Sequence, residues 1–203
     1  MNGDPLRRTA LFEAHRALGA RIVPFGGFEM PLQYEGIFAE HAAVRKRAGI
    51  FDLSHMAQFE VRGPGAAEWL DRLTVNHVAT MRPFLARYNI FTNDAGGARD
   101  DVIVYRLPER WLVVVNAGNA APMWAYLDER RVDGVELANC HGERALIAIQ
   151  GPRSASIVSE LADGDVAAIG NYRCAEMRVA GVSAVLARTG YTGEDGFEAF
   201  VDS

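Results

Sequence analysis

The sequence predicts an α+β protein in which helices pack on antiparallel β-sheets. Segments whose apolar residues alternate, as they do in strands, are interspersed with segments of helical periodicity. Several neighbouring strand segments are joined by turns too short for the crossover that parallel strands require. The clearest case is a hairpin, because strand patterns at 87–92 and 100–107 flank the turn sequence Asn-Asp-Ala-Gly-Gly at 93–97.

The predicted elements rest on strand-like alternation or on helical periodicity, and some also have a local start or stop signal. Gly49 ends a helix whose last turn carries Lys46 and Arg47, and Pro152 stands at the start of another helix. Helices are predicted at 9–18, 36–48, 66–73 and 120–131, and after residue 152. Strands are predicted at 21–25, 51–61, 87–92, 100–107, 111–116, 135–138, 145–150, 176–179, 184–188 and 197–201.

The composition is that of an ordinary globular protein, with 49% apolar and 23% charged residues among 203. The net charge of -5 argues against nucleic-acid binding, which needs a basic face. No apolar run approaches the length of a membrane span, and no secretory signal is recognisable at the N-terminus. The five histidines lack metal-ligand spacing, and the two cysteines, Cys140 and Cys174, fit a reducing cytoplasm.

Two adjacent aspartates follow the turn of the predicted hairpin and open its second strand. Alternation places Asp101 on one sheet face with Ile103 and Tyr105, and Asp100 on the other face. In one interpretation both aspartates are turn residues, and Asp100 reaches solvent or caps the turn. In the other, Asp101 is a carboxylate at the rim of an apolar pocket, where it could hold a cationic intermediate or a ring N–H.

A second candidate site lies at 188–198, where glycines at 190, 193 and 196 predict a tight loop between strands. Tyr191 lies on the loop, and Glu198 alternates with Phe197 on the outgoing strand. The segment is either an ordinary hairpin with a surface carboxylate or a platform for a flat ligand. In the second interpretation Tyr191 offers an aromatic face, and Glu198 accepts hydrogen bonds from two adjacent N–H groups.

A third cluster, Asp52, Ser54 and His55, contains the residue types of a hydrolytic triad within the predicted strand 51–61. Alternation puts Asp52 and Ser54 on one face and His55 on the other, and the sequence has no nucleophile-elbow motif. The cluster is therefore interpreted as structural. The glycine turns at 63–65 and 151–152 match neither the dinucleotide nor the Walker pattern, which argues against a bound nucleotide.

Six segments together resemble one family through their order and spacing. They are 25–32 (FGGFEMPL), 51–56 (FDLSHM), 96–105 (GGARDDVIVY), 115–117 (VNA), 149–152 (IQGP) and 188–198 (RTGYTGEDGFE). The family is that of the glycine cleavage T protein, a folate-dependent aminomethyltransferase, and the resemblance runs from about residue 11 to residue 201.

The resemblance implies a T-protein-like fold of two interleaved α+β domains, with the family's C-terminal barrel missing from this chain. Residues 1–56 and 143–203 would form the first, folate-binding domain, and residues 57–142 the second, inserted domain. The family's pocket arginine would also lie beyond Ser203.

The resemblance also implies roles for particular side chains. Asp101 matches the catalytic carboxylate that faces the reaction centre of the folate, and Asn171 stands where the family has a second pocket aromatic. Tyr191 would stack near the pterin, and Glu198 would accept hydrogen bonds from its amino-pyrimidine edge. The residues implied to bind folate are Tyr88, Tyr105, Asn116, Tyr191, Glu198, Leu53 and Met56.

By the same resemblance the protein is a cytoplasmic enzyme of glycine catabolism and one-carbon metabolism. It would transfer the methylene of a lipoyl-bound aminomethyl group to tetrahydrofolate and release ammonia, with the lipoylated H protein as partner and without metal or nucleotide. The alternatives are a folate-binding module without transferase activity, a related folate-dependent demethylase, or a truncated product without function. Neither Cys140 nor Cys174 lies in the Lys-Gly-Cys-Tyr motif of iron–sulfur-linked folate-binding relatives.

Overall fold

Helices alternate with antiparallel strands along the chain, which confirms the α+β class predicted from the sequence. The computed structural model describes residues 5–202. The helices are α1 (Phe12–Ala17), α2 (Ile37–Lys46), α3 (Ala66–Leu73), α4 (Ala120–Glu129) and α5 (Ser154–Leu161). The strands are β1 (Arg21–Phe25), β2 (Phe28–Gln33), β3 (Gly49–Asp52), β4 (Ala57–Arg62), β5 (Leu85–Thr92), β6 (Ala98–Arg106), β7 (Trp111–Val115), β8 (Glu136–Asn139), β9 (Arg144–Gln150), β10 (Cys174–Val179), β11 (Val182–Ala187) and β12 (Gly196–Asp202).

The chain divides into two units. Unit 1 comprises Met1–His55, Gly142–Asn171 and Glu176–Ser203, and unit 2 comprises Met56–His141 and Tyr172–Ala175. Within the part of the chain that the structure describes, no helix is long and apolar enough to cross a membrane.

Unit 1 contains a five-stranded sheet in the order β10-β11-β12-β9-β3. A separate two-stranded sheet, the hairpin β1-β2, comes before β3 in the chain. The strand β9 pairs antiparallel with both β12 and β3, so that Ala148 lies between Glu198 and Phe51. This pairing brings chain segments about 100 residues apart onto neighbouring strands, and it fixes which side chains share a sheet face.

Unit 2 contains the five-stranded antiparallel sheet β5-β6-β7-β4-β8. One face of this sheet carries the apolar core, in which Phe59, Val104 and Val113 pack with Trp69 of α3 and Leu127 of α4. All of β7, and β6 from Val102 to Tyr105, are buried on both faces of the sheet. The opposite face carries Asp101, Ile103 and Tyr105 on β6, and it is the face on which the candidate site is built.

The hairpin β5-β6 forms where its turn sequence predicted it. The Asn93 side chain accepts hydrogen bonds from the backbone N–H groups of Ala95 (3.0 Å) and Gly97 (2.9 Å). Gly96 has a φ of 80°, which a residue with a side chain rarely adopts. The turn therefore caps itself through Asn93, and it leaves both aspartates of β6 to other partners.

The single strand predicted at 51–61 is wrong, because the chain turns at residues 54–55 between β3 and β4. The Asp52 carboxylate accepts a hydrogen bond from the Ser54 N–H (2.9 Å), and this contact stabilises the turn. The Ser54 hydroxyl in turn accepts the N–H of Leu146 (3.1 Å). Apolar alternation on both sides of the turn hid this break, and the strand β2 was likewise not predicted.

The loop between β11 and β12 is fixed by a close approach to Gln150. A Cβ added at Gly190 or at Gly196 would collide with the Gln150 side chain. The Gln150 amide donates to the carbonyl of Thr189 (3.0 Å) and accepts from the Thr192 hydroxyl (2.9 Å). The glycines of this loop are therefore required for packing as well as for turning.

A buried polar chain, absent from the sequence-based expectations, links α1 to β3. His15 lies between Tyr34 and Asp52, with its Nδ1 2.8 Å from the Tyr34 hydroxyl and its Nε2 2.9 Å from the Asp52 carboxylate. The Asp52 carboxylate has no exposed surface. Burial alone would raise the pKa of Asp52, but hydrogen bonds from His15 and Ser54 lower it below the ordinary carboxyl range.

Asp52→Asn should lower the free energy of unfolding by about 2 kcal/mol at pH 7, because a buried carboxylate loses charge-assisted hydrogen bonds. The lowered pKa sets the pH window: the contribution is complete above the unfolded value near pH 4 and is lost as the pH falls through the folded value. Urea unfolding should therefore show the difference between the two chains shrinking below about pH 4. The matched control is Asp128→Asn, an exposed residue of α4. A difference that stays constant from neutral to acidic pH would contradict the assignment.

Candidate active site

Asp101 stands at the rim of a buried apolar row on the second face of the unit 2 sheet. It lies opposite Ile90 of β5 and is exposed in the described chain. Further along the same face, Ile103 and Tyr105 are 4% and 0% exposed. A carboxylate in this position can meet a ligand while the row behind it keeps the strand rigid.

Tyr88 is the aromatic neighbour of Asp101. It lies on β5 opposite Ile103, its side chain is partly exposed, and it is the diagonal neighbour of Asp101 on the same sheet face. Partial desolvation and the nearby Asp101 carboxylate raise the pKa of Tyr88, with a further contribution from Tyr172. Tyr88 and Asp101 therefore form one polar pair at the sheet surface.

Asn116 lies on the other side of Asp101, immediately after β7. Its side-chain nitrogen Nδ2 donates to the Asp101 carbonyl (2.9 Å) and lies 3.3 Å from the Asp101 Oδ1. The structure thus brings Tyr88, Asp101 and Asn116 together around one carboxylate, although they come from three different strands or strand ends.

The expectation that Asp100 reaches solvent or caps the hairpin turn is wrong. Asp100 is 5% exposed, and its carboxylate accepts hydrogen bonds from Asn116 and Asn119, in the turn that follows β7. That turn lies at the end of the neighbouring strand, which sequence alternation cannot show. The one sequence signal was the pair of asparagines three residues apart, directly after a strand.

Two further candidate residues of unit 2, Tyr105 and Met56, are less exposed than Asp101 and Tyr88. Tyr105 is fully buried, between Ala86 on one side and Leu112 on the other. Met56 is half-buried and precedes β4. In the described chain Tyr105 therefore acts as a packed support for the strand that carries Asp101.

The family resemblance places a second pocket aromatic at position 171, where this chain has Asn171 followed by Tyr172. Asn171 is exposed. Tyr172 is partly exposed, has a φ of 53°, and lies near enough to Tyr88 to raise the pKa of that hydroxyl. An aromatic side chain is therefore present beside Tyr88, in the position after Asn171.

Glu198 belongs to unit 1, and the interpretation of it as a surface carboxylate is wrong. It is 5% exposed and lies between the small side chains of Ala148 and Ala187 on neighbouring strands. The Thr189 hydroxyl donates a hydrogen bond to its carboxylate. Burial next to small residues leaves Glu198 as a fixed acceptor on the sheet.

The other candidate binding residues of unit 1 are Tyr191, on the loop before β12, and Leu53, directly after β3. Tyr191 is 65% exposed on the loop that also carries Thr189, so the loop presents its ring to the outside. Leu53 is half-buried and extends β3, with its N–H donating to the Leu146 carbonyl (2.8 Å). Unit 1 thus places Glu198 on β12, Tyr191 on the loop that precedes β12, and Leu53 directly after β3 of the same sheet.

The triad residue types of 52–55 do not form a triad. Asp52 contacts His15, and the Ser54 hydroxyl accepts a backbone N–H. The structural interpretation of this cluster is therefore supported by its hydrogen bonds. Among residues 5–202, no group of three or more His, Cys, Asp or Glu side chains is arranged to hold a metal ion.

The fold defines the class of protein. The glycine cleavage system aminomethyltransferase T from Bartonella henselae has the same fold, with a TM-score of 0.89 and 34% identity over 97% of this chain and 54% of that one. The heterotetrameric sarcosine oxidase from Corynebacterium sp. U-96 matches 81% of this chain and 82% of its own, with a TM-score of 0.56 and 16% identity. At that identity the second likeness concerns the fold alone.

The chain belongs to the family described as the GCVT N-terminal domain, because the model of that family matches residues 11–203. Among curated relatives, the aminomethyltransferase of Rubrobacter xylanophilus is 49% identical over 97% of this chain and 53% of its own length. That of Streptomyces coelicolor is 48% identical over 99% of this chain and 55% of its own length. The chain spans about half the length of the curated relatives it matches.

Asp101→Asn should lower the pKa of Tyr88 toward its ordinary value, because the substitution removes the negative charge that disfavours the tyrosinate. The measurement is a pH titration of the ring-carbon NMR signals of labelled tyrosine, with Tyr88→Phe to assign the resonance. Asp133→Asn, an exposed aspartate of the same unit, should leave the titration unchanged. A Tyr88 pKa that stays the same without the Asp101 charge would show that the two groups are not paired in solution.

Proposed function

We propose that this chain carries the catalytic and folate-binding side chains of a tetrahydrofolate-dependent aminomethyltransferase of glycine cleavage. The reaction would move the methylene of a lipoyl-bound aminomethyl group to tetrahydrofolate, with release of ammonia and of the lipoyl thiol. The lipoylated H protein would be the partner that delivers the aminomethyl group, and the cytoplasm the compartment. The observation that carries this proposal is the Asp101 carboxylate, which accepts from Asn116 and lies beside Tyr88 at the rim of a buried row.

The proposed work of Asp101 is electrostatic. Positive charge develops as the carbon–sulfur and carbon–nitrogen bonds reorganise, and a fixed carboxylate next to that charge lowers the barrier. Asn116 holds the carboxylate by donating to it, with Tyr88 beside it on the same sheet face, so it does not have to reorient during the reaction. A flat ligand that covers Asp101 would displace water from it, and this would strengthen its interaction with the positive charge.

The residues proposed to bind the folate fit its chemistry. Tyr88 and Tyr191 expose aromatic rings, on which a pterin can stack. Glu198 is a buried acceptor, and an amino-pyrimidine edge presents adjacent N–H donors to such a carboxylate. Leu53 and Met56 are the apolar side chains proposed to contact the folate, and the fully buried Tyr105 supports the strand of Asp101 from behind. We assign residues 1–56 and 143–203 to a discontinuous folate-binding domain, and residues 57–142 to a second domain inserted into it.

The relatives support the reaction class. Those that match most of this chain are named aminomethyltransferases, and the chain corresponds to about half of each. Tests of turnover therefore use the chain extended at its C-terminus to the length of these relatives, alongside the 203-residue chain. The assay is the formation of methylene-tetrahydrofolate from aminomethylated H protein.

Asp101→Asn in the extended chain should lower kcat by about 100–1000-fold, the usual cost of removing a preorganised electrostatic partner. The affinity for tetrahydrofolate should change little, because the isosteric amide keeps the shape of the site. Asp133→Asn is the control for a lost charge at an exposed position of unit 2. Turnover at the unsubstituted rate in Asp101→Asn would remove this side chain from the mechanism.

Glu198→Gln should weaken tetrahydrofolate binding by about tenfold, because a charged acceptor is replaced by a neutral one of the same shape. Turnover of the bound complex should fall less than affinity, since the carboxylate is proposed to hold the ring and not the reacting atoms. Titration calorimetry measures the affinity. Glu60→Gln is a matched control, because Glu60 is equally buried but bonded to Arg62 and Arg110. Equal affinity in Glu198→Gln and the unsubstituted chain would refute the assigned contact.

The competing functions give different outcomes in the same assays. A folate-binding module would bind tetrahydrofolate without transferring a methylene group, and a demethylase would act on a free methylated substrate but not on aminomethylated H protein. A chain without function would show neither binding nor turnover in its extended form.

A further inference from the structure

The carboxylate next to Asp101 is buried and committed to one turn. Asp100 has 5% of its surface exposed, and it points to the opposite side of β6 from Asp101. Its Oδ2 accepts the backbone N–H of Asn116 (3.0 Å), and its Oδ1 accepts the side-chain amides of Asn116 (3.0 Å) and Asn119 (2.5 Å). These donors belong to the turn after β7, so a single buried charge ties that turn to the start of β6.

This tie decides how Asn116 faces Asp101. An asparagine side chain can present either its carbonyl oxygen or its NH₂ group, and a carboxylate attracts the NH₂ group and repels the oxygen. Because Asp100 accepts from the Asn116 Nδ2, that nitrogen is directed toward the two aspartates. The same nitrogen then reaches the Asp101 carbonyl at 2.9 Å and its Oδ1 at 3.3 Å.

We infer that Asp100 is a positioning residue for Asp101, and that it acts through Asn116 by fixing the amide so that its N–H group faces the Asp101 carboxylate. The geometric part of this inference stands without any assigned reaction. Its consequence for turnover rests on the proposed function, in which Asp101 must be held in place.

The charge of Asp100, and not only its shape, is required. In Asp100→Asn the new side chain has one acceptor oxygen and one donor NH₂ group. It can accept from one side of the turn, but its NH₂ group then faces an N–H of Asn116 or Asn119. The turn must shift to relieve this contact between donors, and Asn116 moves away from Asp101 with it.

The pKa of Tyr88 reports the position of Asp101 without an activity assay, because the Asp101 charge raises it. The test titrates Tyr88 by tyrosine NMR in the 203-residue chain and in four variants: Asp100→Asn, Asn119→Ala, Asp71→Asn and Asp101→Asn. Asp71→Asn is the matched control, because its carboxylate holds another turn of unit 2 through the N–H groups of Val78 (2.6 Å) and Ala79 (3.1 Å).

The expected result is that Asp100→Asn lowers the pKa of Tyr88 part of the way to its value in Asp101→Asn, while Asp71→Asn leaves it unchanged. Asn119→Ala keeps the Asp100 charge and removes one donor, so it should give a smaller change in the same direction even if Asp100→Asn fails to fold. A Tyr88 pKa equal to that of the unsubstituted chain in both Asp100→Asn and Asn119→Ala overturns the inference. So does an equal shift in Asp71→Asn.

In the extended chain, Asp100→Asn should lower kcat by about 10–100-fold, the cost of a small misplacement of a catalytic group, with the KM for tetrahydrofolate changed less than about threefold. Asp71→Asn should keep the unsubstituted kcat. If Asp101→Asn also leaves kcat unchanged, the proposed function fails while the Tyr88 titration still decides the positioning role. If Asp101→Asn loses turnover but Asp100→Asn does not, the positioning role fails alone.

Discussion

The candidate site depends on a buried negative charge at the junction of β6 with the turn after β7. A carboxylate removed from water is costly unless donors replace the lost hydration, and Asp100 receives them from Asn116 and Asn119. The same contacts set the position of the turn and the orientation of the amide that reaches Asp101. One satisfied buried charge thus links the packing of unit 2 to the geometry of its exposed carboxylate.

Unit 1 uses buried carboxylates in a related way. Asp52 accepts from His15 and from the backbone at Ser54, and it shapes the turn that separates β3 from β4. Glu198 accepts from Thr189 on a strand whose neighbours are small. In each case a local donor holds an acidic group rigid, so the strands that carry the candidate binding residues have defined positions. Asp52 serves the fold, whereas Glu198 is the carboxylate proposed to recognise the folate.

The sequence predicted the elements whose signals are local. The hairpin β5-β6 followed from a turn with Asn93 and two glycines between two alternating segments, and the helix α4 from its apolar period. Alternation also placed Asp101 on the face of Ile103 and Tyr105. The break at Ser54 was missed because apolar alternation continues on both sides of it.

The partners of Asp100 and Asp52 could not be predicted, because they lie 16 and 37 residues away along the chain. Only strand pairing brings such residues together, and a single sequence gives the register of pairing poorly. The family resemblance supplied the candidate site residues, while the hydrogen bonds show what holds Asp101 and Glu198 in place. The contacts that hold Asp101 therefore follow from the tertiary structure and not from any local sequence signal.

The claim at the centre of this account is that a bound folate meets Asp101 beside the ring of Tyr88. The most direct measurement is the set of nuclear Overhauser contacts between tetrahydrofolate and the labelled tyrosines of the C-terminally extended chain. The account predicts contacts from the protons next to the folate's reacting nitrogens to the Tyr88 ring, and their loss in Tyr88→Phe labelled only at tyrosine. Saturating folate binding with no contact to Tyr88 would contradict it.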